Sequence, residues 1–255
     1  MKRVLFSVCI SILVLPSAYT FGFSTKGEDC AKCHVLTKDE ATTIVKNFNP
    51  GLSVIDIKSA PVQGLWEVTV STGGQKVLGY IDFSKQYFVK GEIIDIKNKV
   101  NLSRDRLTEI NKVDVSSIPL DDALVLGDKN AEHKIIVFDD PVCPYCARLH
   151  QEMKKVIEKR KDIAFLIKMY PLPMHKGADE KAKAIVCEKS IALLEDSFAH
   201  KDLPAAKCTT SAIDDNMKLA GKLGISGTPA IIFPDGRVMA GFMEADPLIQ
   251  ALEKK

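Results

Sequence analysis

The sequence predicts an α+β chain in two parts: a small β-rich N-terminal region and a larger α/β region with a cysteine pair opening one helix. Three observations predict this. Residues 53–89 alternate or run apolar in short stretches, broken at Ala60-Pro61, Gly73-Gly74 and residues 82–85, which is strand-and-turn patterning. From residue 123 onward, apolar runs of strand length alternate with helical periodicities. Finally, the run Ile135 to Phe138 leads into Cys143-Pro144-Tyr145-Cys146, followed by Leu149, Met153, Val156 and Ile157 on one helical face.

The 255 residues give room for one or two domains, and 46% hydrophobic with 27% charged residues is ordinary globular composition. A net charge of +2 offers no handle for nucleic acid or an anionic membrane. Residues 1–20 read as a signal peptide: Lys2 and Arg3, then an apolar core from Val4 to Leu15, then Pro16-Ser17-Ala18-Tyr19-Thr20 as cleavage region. That core is too short to span a membrane. Its removal takes Cys9 and leaves six cysteines, an even number in an exported chain, which suggests disulfides and a periplasmic location.

Taken in order, Thr37-Lys38-Asp39-Glu40 is a capping-box start for a helix with Ala41, Ile44, Val45 and Phe48 on its apolar face, stopped at Asn49-Pro50-Gly51. Strands follow at 53–57, 65–70, 77–81 and 87–89, with a further short one at 93–96. Residues 102–113 turn helical with a narrow stripe of Leu102, Arg106, Leu107 and Ile110, the pattern of a linker between domains. The expected division is thus 21–100 for the N-terminal region, 101–122 for the linker helix and an irregular connection, and 123–255 for the second domain. There a strand at 123–126 precedes the cysteine strand and helix, and another strand covers 162–169. One helical region is expected from Asp179 to Phe198, and another capped by Ser211 with Asp214. Ala230 to Phe233 and Val238 to Gly241 pair across the Pro234-Asp235-Gly236 turn, and Asp246-Pro247 starts the last helix. Strand, CxxC, helix, strand, then an antiparallel pair and a helix is the thioredoxin-like order, here with a helical insertion near 175–224.

In this order Cys143 sits at the first turn of a helix, where unpaired N–H groups and the helix dipole favour an anion. Its thiol is expected to be partly ionised at neutral pH, and the thiolate is the nucleophile; Cys146, three residues on, is within reach to close a disulfide. The alternative, half of a zinc site, needs two more ligands, and His133 and His150 are scattered rather than paired. Arg148 and His150 read as surface residues, with tuning of the thiols as the other reading. Gly227-Thr228-Pro229 heads a strand; it is either an ordinary trans turn or a cis-proline segment against the dithiol, leaving the Thr228 backbone for an extended substrate. Cys187 and Cys208 are a structural disulfide or two buried thiols. Cys30-Ala31-Lys32-Cys33-His34 has the CxxCH spacing that attaches a c-type haem; a disulfide or a metal site is the alternative.

From about Thr42 onward the chain resembles the DsbC/DsbG family of periplasmic disulfide isomerases. The resemblance rests on Phe138 to Cys146, on Ala184-Ile185-Val186-Cys187 with Cys208, on Leu223 to Ala230, and on Ala60 to Val68. It implies a V-shaped homodimer joined through cystatin-like N-terminal dimerisation domains, with no cofactor required. It further implies that Cys143 attacks and Cys146 resolves, that Thr228-Pro229 is the cis-proline pair and, with Tyr145, meets substrate, and that Cys187–Cys208 is the family bridge. The Pro-Tyr dipeptide is DsbG-like, and the CxxCH segment is foreign to both archetypes. The expected function is rearrangement or reduction of wrong disulfides in misfolded exported proteins, with a DsbD-type membrane reductant. Alternatives are a reductase of sulfenylated cysteines, a holdase chaperone, or a redox protein carrying haem at Cys30, Cys33 and His34.

Overall fold

The computed structural model describes residues 34–72 and 75–253. The expected signal peptide (residues 1–20), Cys30 and Cys33 lie outside the described residues. The first helix, α1 (Lys38–Phe48), starts with the expected capping box: the Thr37 hydroxyl accepts from Glu40 N at 3.2 Å and Glu40 Oε2 accepts from Thr37 N at 2.9 Å. It packs on a four-stranded antiparallel sheet of β1 (Ser53–Ser59), β2 (Leu65–Thr72), β3 (Gln75–Asp82) and β4 (Phe88–Val89), in that order. Ala41 and Val45 meet Val54, Trp66, Val68, Val70 and Ile81 in a closed core. A bulge at Ile55 shifts the β1–β2 register between Val54 and Asp56.

The other face of this sheet is covered too. A two-residue ladder, β5 (Ile94–Asp95) with β6 (Val100–Asn101), leads into α2 (Leu102–Ile110), which is shorter than the 102–113 expected. The narrow apolar stripe of α2 is explained by how it is held. The Tyr80 and Ser103 hydroxyls bond at 2.6 Å, and Arg106 Nε donates to Glu67 Oε1 at 2.9 Å. Polar pairs, not an apolar seam, fix this helix on the sheet, so hydrophobic periodicity underreports it. Beyond α2, Val113 N donates to Gly236 O at 2.9 Å. Gly236 has φ +87°, and a Cβ there would meet Val113 O at 2.3 Å, so only glycine fits.

The second sheet has the order β11-β10-β8-β9-β7, from β7 (Leu124–Gly127), β8 (His133–Asp139), β9 (Ile163–Met169), β10 (Ala230–Ile232) and β11 (Val238–Ala240). Only β8 and β9 are parallel, and α3 (Pro144–Lys159) makes the crossover between them. Strand parity divides two cores. Ile135, Val137, Ile163, Phe165 and Ile167 face Leu149, Met153 and Val156 of α3, while Ile136 and Phe138 join Ile118, Ala220 and Ile225 on the opposite side. Each large side chain buried here contributes roughly 1.5–3 kcal/mol.

Lys168 is the exception in β9. It is buried, and its ammonium donates to Pro119 O at 2.6 Å and to Asp122, whose second oxygen accepts from Asn216 Nδ2 at 2.7 Å. A buried charge needs such a pair, and this one pins the irregular 115–122 connection to the sheet. The helical insertion refines one expectation and corrects another. Residues 179–198 form two helices, α4 (Ala178–Glu188) and α5 (Ile191–Phe198), because Lys189 turns left-handed at φ 45° and Ser190 caps α5 by accepting from Leu193 N. Ser211 makes no capping bond to α6 (Ala212–Lys222); Thr210 Oγ1 accepts from Ala212 N instead. The last helix, α7 (Ala245–Glu253), packs beside α3.

Candidate active site

β8 delivers Asp139 to the end of the sheet, and Asp140 to Cys143 turn the chain into α3. Four bonds fix that turn. Asp140 Oδ1 accepts from Val142 N at 2.9 Å, and Oδ2 accepts from Leu172 N and pairs with His175 Nδ1, both at 2.7 Å. The buried Ser197 hydroxyl of α5 donates to Pro141 O at 2.7 Å. The insertion thus holds the loop whose last residue is Cys143.

Cys143 is the N-cap of α3 with extended backbone, Pro144 occupies the first turn, and no side-chain oxygen satisfies the free N–H groups. The sulfur takes that place. Its pKa is lowered from 9.0 to about 5, first by a hydrogen bond from the Cys146 thiol, then by the backbone N–H of Cys146, by Thr228 and by the N–H of Tyr145, against the opposing effect of burial. Cys146 is fully buried, and burial with the neighbouring Asp139 charge pushes its thiol far up. The two thiols are therefore sharply unequal. Opposite them the Thr228–Pro229 peptide is cis, and Cys143 Sγ lies 3.7 Å from Thr228 O.

Beneath the pair sits Asp139, on the same strand face as Ile135 and Val137. It is fully buried, and among the described residues neither carboxylate oxygen has a partner at hydrogen-bond geometry. Burial raises its pKa from 3.8 to about 7; the Cys146 thiol is the adjacent group able to donate, and the charges of Asp140 and Cys143 push the value further up. A role for Asp139 was missed in the sequence. The signal was a carboxylate ending an otherwise apolar strand at core-facing parity.

The fold brings Cys143, Cys146, Tyr145, Thr228 and Pro229 together. Tyr145 is 56% exposed, and Arg148 lies over its ring. His150, read as a surface residue, is instead fully buried one turn past Cys146, with Nε2 3.1 Å from Glu195 Oε1. It falls on the inward stripe of α3, and the insertion helix α5, unforeseeable from local pattern, covers it. Cys187 and Cys208 are joined, S–S 1.97 Å, between α4 and the segment before α6. His34 is exposed. Among the described residues no group of three or more His, Cys, Asp or Glu is placed to hold a metal ion.

Residues 120–255 match the thioredoxin-like domain family, and residues 34–104 match the family described as the disulfide bond isomerase protein N-terminal domain. The chain belongs to the DsbC family. The probable thiol:disulfide interchange protein DsbC of Bordetella avium is 28% identical over 192 residues, covering 75% of this chain and 66% of that protein. The thiol:disulfide interchange protein DsbC of Haemophilus influenzae is 24% identical over 213 residues, covering 82% of this chain and 87% of that protein. Among solved structures, a disulfide interchange protein from Neisseria gonorrhoeae aligns with 28% identity and TM-score 0.47, over 54% of this chain and 97% of that one. A DsbC-family member is a thiol–disulfide oxidoreductase of mixed α and β fold, and that is the class of this protein's chemistry. The family's chemistry needs no cofactor. Among the described residues no helix is long and apolar enough to cross a membrane.

Proposed function

We propose that Cys143 is the attacking thiol and Cys146 the resolving thiol of an enzyme that rearranges or reduces wrong disulfides in exported proteins. The inequality of the two thiols carries this reading: one is ionised at neutral pH at a helix N-terminus, the other is buried and protonated. The Cys143 thiolate attacks a substrate sulfur, forming a mixed disulfide and expelling a substrate thiolate. Another substrate thiolate then attacks the substrate sulfur of that mixed disulfide, which creates a new pairing and returns Cys143 reduced. In the reductive branch Cys146 loses its proton to Asp139 and attacks Cys143, releasing the substrate as a dithiol. An extended substrate segment pairs with the Thr228 backbone beside the cis peptide and passes Tyr145.

Each reduction leaves Cys143 and Cys146 oxidised, so a two-electron dithiol donor must restore them; a DsbD-type membrane reductant has that chemistry. The reading places the protein in a periplasm as a homodimer. The region before residue 100 pairs two copies, residues 101–122 link, and the region from 123 carries the dithiol. In favour of pairing there, Val89, Ile94 and Ile96 are 44%, 55% and 87% exposed within eight residues of chain. Insulin reduction and reactivation of scrambled ribonuclease both vanish in Cys143→Ala; persistence of either overturns the assignment.

A further inference from the structure

Arg148 is an exposed cation beside the dithiol, and it is held in place by rings rather than by a counter-charge. Its guanidinium carbon lies 5.9 Å from the Tyr145 ring centroid and 4.4 Å from that of Phe242. Among the described residues no carboxylate lies within ion-pair distance of it. Glu152, one turn further along α3, is engaged elsewhere: it accepts from Ala245 N at 3.0 Å and pairs with Lys155 at 2.7 Å.

Both rings belong to the mouth of the site. Tyr145 is the exposed residue between the two cysteines. Phe242 follows Gly241, whose N–H donates to Pro229 O at 2.8 Å, so its segment is tied to the cis peptide next to Thr228. A guanidinium stacked on aromatic faces keeps its in-plane N–H fork free and has lost part of its rotamer freedom before any ligand arrives. The fork matches a carboxylate, with two parallel charge-assisted bonds.

We propose that Arg148 is a specificity-determining residue that receives an acidic side chain of the client near the disulfide under attack. The Tyr145–Arg148–Phe242 ledge then favours substrates with Asp or Glu flanking the reactive cysteine and disfavours those with Lys or Arg. This rests on the assignment of Cys143 as the attacking thiol.

The test uses the pre-reduced full-length protein in single turnover against three synthetic peptides. Each carries one intramolecular disulfide and differs only in having Glu, Gln or Lys beside the cysteine. The expected order is Glu, then Gln, then Lys, with about fivefold in second-order rate constant between first and last at low salt. The spread narrows as ionic strength rises. Arg148→Gln evens out the three rates, while Arg148→Lys, which keeps the charge but not the planar fork, retains part of the preference. The readout is a ratio within one variant, so partial loss of folded protein does not mimic it. Equal rates for the three peptides with the parent protein, or an unchanged ratio in Arg148→Gln, overturn the Arg148 assignment alone. Failure to reduce any of them overturns the Cys143 reading and this one with it.

Discussion

The Ser197 hydroxyl donates to the Pro141 carbonyl across a buried 2.7 Å contact, tying the insertion helix α5 to the loop that ends at Cys143. Pro141 is buried and Ser197 is 1% exposed, so water has little access to either group. Ser197→Ala therefore leaves a buried carbonyl without its donor, at a cost of about 1–3 kcal/mol. A urea titration should show a lower midpoint with unchanged slope. A midpoint equal to that of the parent would mean the loop is held without this bond.

The lowered Cys143 pKa predicts a pH profile. Iodoacetamide should alkylate Cys143 with a midpoint near pH 5 and a flat rate from about pH 6 to 8, while Cys146 stays unmodified. Stability follows the same titration. The folded value lies below the free value of 9.0, so Cys143 contributes stability to the reduced protein that is fully present above pH 9 and lost as pH falls through about 5. The oxidised form lacks the thiol. The difference in Tm, reduced minus oxidised, should therefore grow between pH 5 and 9; an alkylation midpoint near 9 would remove the basis for both effects.

Asp139 has the opposite sign. Its folded pKa of about 7 exceeds the free 3.8, so its ionisation destabilises the fold increasingly from about pH 4 up to 7 and by a constant amount above. Relative to the parent, Asp139→Asn should gain stability over that range and level off beyond it. The same variant removes the acceptor for the Cys146 proton. Release of the mixed disulfide by Cys146 should slow about 10²-fold at pH 7.5, a typical contribution of a positioned proton acceptor. Acid-quenched samples would show the mixed disulfide accumulating; parent-like release would assign the proton to another acceptor.

Much of the architecture is local enough to read from the chain. The capping box at Thr37, the β7–β9 run of strands, the Pro234-Asp235-Gly236 hairpin turn and the CxxC at the head of α3 each depend on neighbours a few residues apart. What escaped the sequence depends on distant partners. The break at Lys189 and the polar attachment of α2 through Arg106 and Ser103 have no local periodicity to announce them, and His150, though on the inward stripe of α3, is covered by the distant helix α5. Thr210, rather than Ser211, caps α6 because the chain enters that helix with Ser211 already in helical backbone conformation.

The type of chemistry follows from residues a few positions apart. A cysteine followed by proline at a helix start has free N–H groups and the positive end of the helix dipole beside its sulfur, and both favour the thiolate. Tertiary structure alone decided the partners of that thiol. It set Asp139 beneath Cys146, the Thr228 carbonyl 3.7 Å from Cys143, Ser197 on Pro141, and Arg148 between Tyr145 and Phe242. These contacts join residues as much as 94 positions apart. Such proximity is a property of how sheet, crossover helix and insertion pack, since desolvation and hydrogen bonding act through space and leave no mark on spacing along the chain.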